Sequence, residues 1–140
     1  MSLKKYQETT CSCYTCKSMC EYKPCWPTPE EAQALIAAGY SDKLMLDWWE
    51  DPKGDIEILS PAIVGQESHY ASSIFPVGRC TFLSKAGKCK LHSLELKPIE
   101  GRLSDCSNEH QDDLHYLVAK TWDNKAGRAL VVRWKAERNL

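Results

Sequence analysis

Apolar residues change their spacing several times along the chain, and each change marks an element. Thr28-Pro29-Glu30-Glu31 sets a capping hydroxyl, a proline at the first helical position and a reciprocal glutamate ahead of Leu35 and Ile36. Gly39 closes that predicted helix. Leu44, Met45, Trp48 and Trp49 then recur at helical spacing behind a capping Ser41 and stop near Asp51-Pro52, which predicts a second helix. Residues 55–59 (DIEIL) alternate polar and apolar after Lys53-Gly54 and predict a short strand. From 60 to 78, Pro61, Gly65, Pro76 and Gly78 interrupt every period, so irregular structure over the core is expected. Helical spacing returns from Glu109, with Leu114, Leu117 and Val118 on one face and Trp122 at its end. Asp123 or Asn124 caps a last helix, whose expected inner face is Ala126, Ala129, Leu130 and Trp134.

Composition changes this picture in one respect. The chain has 140 residues, 43% hydrophobic and 26% charged, values of a globular protein rather than a disordered one. Five tryptophans supply large apolar area for a core. A net charge of −1 gives no overall attraction to nucleic acid or an anionic membrane. No stretch approaches the roughly 18 apolar residues of a membrane span. The eight cysteines stand apart from all this.

Disulfides, metal ligation and buried thiols compete for those cysteines. The start, MSLKKYQETTCSC, has two lysines but no apolar run of an export signal behind them, so a cytoplasmic protein with reduced thiols is expected. Spacing then favours metal. Cys11, Cys13, Cys16, Cys20 and Cys25 fall within fifteen residues, and Cys13 and Cys16 form a C-x-x-C pair. Such a pair turns both sulfurs toward one ion at about 2.3 Å for zinc. A second group, Cys80, Cys89 and Cys106, follows far downstream. Cys80 and Cys89 flank TFLSKAGK, which predicts a β-hairpin turning at Ala86-Gly87. With no repeat, low-complexity run or linker in 1–140, the expectation is a single α+β domain. Its helices would surround a cysteine-rich metal centre, with a short β-hairpin.

These residues resemble the CxxCxxCC zinc- or iron-chelating domain family (YkgJ-like). Cys13, Cys16 and Cys20 match three of the four opening cysteines. Arg79-Cys80-Thr81-Phe82-Leu83 is similar to the middle element, and Gly87-Lys88-Cys89-Lys90-Leu91-His92 to the next. Lys97-Pro98-Ile99-Glu100-Gly101-Arg102 resembles the closing element, normally R-P-x-x-C-R. Met19 stands at the third opening position and Gly101 at the closing one, where a thioether ligates weakly and a glycine not at all. Cys11, Cys25 and Cys106 lie outside the family positions, and some of the three are expected to replace the missing thiols, Cys106 serving for position 101. The resemblance implies chelation of zinc, the first choice, or of iron, and a binding or accessory module rather than a defined reaction. The alternative it leaves open is an iron–sulfur protein with a redox or methyl-transfer accessory role, as some relatives occur within a flagellin lysine methylase.

Spacing does not separate zinc from a four-cysteine cluster. Either site leaves a local charge near −2. Lys17, Lys23, Arg79, Lys88, Lys90 and Arg102, interleaved with the cysteines, are candidates to offset it. His92, three residues after Cys89, is either a mixed ligand or a strand residue. His110 and His115, five apart, fall on different faces of a helix. His69 has no paired nucleophile nearby. Lys125, Arg128, Arg133, Lys135 and Arg138 read as a solvated helix face rather than a nucleic-acid contact, and a protein partner stays open.

Overall fold

The capping box at Thr28 is present in full. Glu31 N–H donates to Thr28 Oγ1 at 3.3 Å and Thr28 N–H donates to Glu31 Oε1 at 2.9 Å, starting helix α1, Pro29–Ala37. Gly39 follows at φ +95°, a left-handed turn that glycine adopts without strain. A computed structural model of the chain describes residues 21–74, 76–103 and 111–140. The element order continues with a 3-10 turn at Ser41–Lys43, strands β1 (Leu44–Trp49) and β2 (Ile56–Pro61), and helices α2 (Lys90–Ser93), α3 (Ile99–Leu103), α4 (Gln111–Lys120) and α5 (Lys125–Ala136). The arrangement is α+β.

The helix expected through Leu44, Met45, Trp48 and Trp49 is a strand. β1 pairs antiparallel with β2, Leu46 opposite Leu59 and Asp47 opposite Ile58. Both strands are covered on both faces, since Leu44, Met45, Leu46, Asp47, Ile58, Leu59 and Ser60 are all buried. A strand buried on both sides carries a continuous apolar run, and such a run fits a helical template as well as an extended one. Leu44 and Leu46 enter the main core, while Met45 between them joins Ala62, Ile63 and Ala71 in a smaller cluster. Ser41 caps nothing, because its groups serve the end of the chain. Its Oγ accepts from Arg138 at 2.8 Å and its carbonyl accepts from Trp134 Nε1 at 3.0 Å.

The strand expected at 55–59 is β2. Residues 60–78 are largely irregular, and they flank the ladder: Leu46 N–H donates to His69 O at 2.9 Å and Ala71 N–H to Leu46 O at 2.8 Å. The hairpin expected around Ala86-Gly87 reduces to a tight turn with one bridge, Leu83 to Cys89, and Gly87 at φ +80°. Asn124 caps α5, accepting from Gly127 N–H at 2.8 Å. The buried face of that helix is Gly127, Leu130, Val131 and Trp134, displaced from the expected one because Ala126 and Ala129 are exposed.

Trp26, Trp122 and Trp134 are each 1% exposed, and each indole N–H has an acceptor. They donate to Asp47 Oδ2 at 2.9 Å, Pro27 O at 2.8 Å and Ser41 O at 3.0 Å respectively. Three large side chains thus enter the core with no donor unsatisfied, so burial carries no polar penalty. Two of these bonds also anchor residues 23–28, which have no regular secondary structure, to the strand pair and the C-terminal helices.

Candidate functional site

Cys25, Cys80 and Cys89 are the candidate ligands within the described residues; Cys11, Cys13, Cys16, Cys20 and Cys106 lie outside them. Cys80 is 5% exposed and bridges Ile63, while Cys89 is half-buried and bridges Leu83. Hydrogen bonds from Leu83 N–H to Cys80 O at 3.1 Å and from Lys90 N–H to Phe82 O at 2.9 Å hold both at the base of the 84–87 turn. The turn therefore carries the downstream thiols on one short, internally bonded loop against the core. Among the described residues, no three histidine, cysteine or carboxylate side chains gather to hold a metal ion.

Cys25 is half-buried beside Gly101. A Cβ at position 101 would lie 3.0 Å from Cys25 Sγ and 3.0 Å from Lys97 Cε. Real Cβ atoms rarely approach a neighbour so closely in a packed interior, so Cys25 fills the space that a side chain at 101 would need. In the family resemblance that position carries the closing cysteine. The thiol of residue 25 and the missing side chain at 101 are complementary in space.

The adjacent residues build a polar cluster that sequence reasoning missed. Glu100 is 8% exposed; its Oε1 accepts from Trp26 N–H at 3.1 Å and its Oε2 pairs with His115 Nδ1. His115 stacks on Trp26 with ring centroids 3.5 Å apart, and Trp49 lies beside it at a steep interplanar angle with centroids 5.6 Å apart. Lys23 Nζ stands 3.0 Å from His115 Nε2 and 4.7 Å from the Trp26 ring centroid. Asp47, fully buried, accepts from Trp26 Nε1 and, at 2.8 Å, from Trp48 N–H. Burial pushes the Asp47 carboxyl above the usual carboxylate range, opposed by the Lys23 ammonium and by these hydrogen bonds. The one signal in the sequence was five residues of spacing between His110 and His115, which argued only against a shared metal.

Three of the cations expected to offset thiolate charge meet other groups among the described residues. Lys23 faces His115, Arg102 donates to Glu31 Oε2 at 2.8 Å, and Arg79 pairs with Glu21 at 3.3 Å and with Ser84 O. Lys88 and Lys90 are exposed, and Lys17 lies outside the described residues. Lys97 has its Cε at the Cys25–Gly101 contact instead. His92 is exposed and lines a cleft of about 500 Å³ with Glu31, Ala34, Glu95, Leu96, Lys97 and Arg102. His69 is exposed, with Nδ1 on Glu67 O at 2.7 Å, and His110 lies outside the described residues. Among the described residues no helix is long and apolar enough to cross a membrane. No family model, curated protein or solved structure matches the chain.

Proposed function

We propose that this chain is a cysteine-rich metal-binding module, holding zinc or, in the alternative, iron, and acting as a binding or accessory unit. The observation that supports this reading most is the fit of Cys25 to Gly101. Where the resembled family has a cysteine, this chain has a glycine with a thiol from another segment beside it, 3.0 Å from the Cβ position. A substitution that simply abolished a ligand would not need a compensating sulfur there. Cys25, rather than Cys106, then supplies the closing thiol, with Cys80, Cys89, Cys11, Cys13, Cys16 and Cys20 as the other candidate donors. Bound metal would supply the crosslink that ties these loops together.

Metal content of single Cys→Ser variants tests the assignment. Cys25→Ser and Cys80→Ser are expected to lose most of the zinc or iron that the parent chain carries, while Cys106→Ser retains it. Full metal content in Cys25→Ser contradicts the assignment of Cys25. A colourless, zinc-loaded protein favours zinc, whereas visible charge-transfer absorption after anaerobic purification favours an iron–sulfur cluster.

A further inference from the structure

The Lys23–His115–Glu100 line has a defined protonation pattern, and its chemistry does not depend on what the thiols bind. A lysine ammonium has only donors, so at 3.0 Å from His115 Nε2 it requires a lone pair on that nitrogen. The proton of the neutral ring must then sit on Nδ1, which donates to Glu100 Oε2. Free imidazole has no such constraint; here both ring nitrogens are committed by opposite partners. The ring is held by its stack on Trp26, with Trp49 beside it at a steep angle.

We propose that Lys23, His115 and Glu100 form a pH-sensitive latch between residues 23–28 and helix α4, closed when His115 is neutral and opened at the Lys23 end when it is protonated. A proton on Nε2 removes the acceptor and sets two cations 3.0 Å apart. The imidazolium keeps Glu100, now as an ion pair, and stays against the Trp26 face, which favours a cation. Lys23 is therefore the part that leaves. Among the described residues, charged groups from three neighbouring elements bear on the ring. Glu100 approaches from α3, Lys23 from residues 23–28 and Asp47 from β1, while the neighbouring Tyr116 side chain on α4 packs on Trp49 rather than on His115.

Long-range proton–nitrogen NMR of the histidine rings in the full chain, from pH 8 to pH 5, tests this, with His115→Gln identifying the signals. The expected result at pH 8 is the Nδ1–H tautomer for His115, and on acidification a loss of Trp26 fluorescence in step with ring protonation. Lys23→Gln keeps a donor for Nε2 but removes the charge. It is expected to preserve the tautomer and move the transition upward by at least about half a pH unit. Lys23→Met removes both, so it is expected to move the transition upward and release the tautomer. An Nε2–H tautomer at pH 8, or an unchanged transition in both Lys23 variants, overturns the proposal.

Discussion

Asp47 is the residue whose burial has the clearest consequence for stability. Its carboxyl has no exposure and holds two donors, Trp26 Nε1 and Trp48 N–H, with burial raising its pKa. The stability it contributes is complete below the unfolded value of about 3.9 and falls as pH rises through the higher folded value. Asp47→Asn cannot ionise, but one of its two polar atoms is a donor, so one hydrogen bond is lost at every pH. The variant is therefore expected to be less stable than the parent at pH 4, by about 1–3 kcal/mol, and to close part of that gap as pH rises to 7. Urea denaturation at several pH values checks it; a gap that widens with pH contradicts the assignment. None of this cluster was legible in the sequence. Glu100, His115, Lys23 and Asp47 are distant in the chain, belong to four different segments, and share no periodicity. By contrast, Gly101 and Cys25 both stood out in the sequence, but their contact did not, because only the packed chain brings the two segments together.

At the scale of elements, Glu31 does more than close a capping box. Its Oε1 accepts from Thr28 N–H and, at 3.0 Å, from Ile99 N–H at the start of α3, and its Oε2 accepts from Arg102. Loss of an ordinary cap costs about 1 kcal/mol. Thr28→Ala is expected to stay near that figure, whereas Glu31→Ala, which also strips Ile99 and Arg102 of an acceptor, is expected to cost about 2–4 kcal/mol. Equal destabilisation of the two variants in chemical denaturation contradicts the link between α1 and α3. The junction of α4 and α5 is held as tightly by geometry. A Cβ on Gly127 would lie 2.7 Å from Trp122 O, and that backbone cannot rotate aside. Alanine gains about 1 kcal/mol of helix propensity over glycine. The clash outweighs it, and Gly127→Ala is expected to lower stability by about 1–2 kcal/mol net. Capped elements were the legible ones: α1 and α5 begin where Thr28 and Asn124 predict. β1 was misread because both its faces are buried, and the inner face of α5 was misplaced because its small residues include Gly127, packed on Trp122.

For the whole molecule, the issue is what joins the cysteine-bearing loops to a core that is already well formed. The strand pair, α1, α4 and α5 close around Trp26, Trp122 and Trp134. Cys80 belongs to that core and Cys89 packs against it, Cys25 is half-buried, and all three lie in turns and irregular chain. Apparent zinc-binding energies at cysteine sites, about 10–16 kcal/mol, match or exceed the about 5–15 kcal/mol stability of a typical domain. Removal of a bound ion is thus expected to loosen the cysteine-bearing turns and lower the melting temperature steeply. The clustering of the cysteines was legible in the sequence; which thiols lie near one another was not, since that depends on loop packing. Elemental analysis of anaerobically purified full chain, with absorption spectroscopy on the same sample, tests metal binding most directly. The expected result is at least one zinc or iron per chain, falling sharply in Cys25→Ser. A well-folded parent chain with neither metal, and with no affinity for added zinc or iron under reducing conditions, contradicts it.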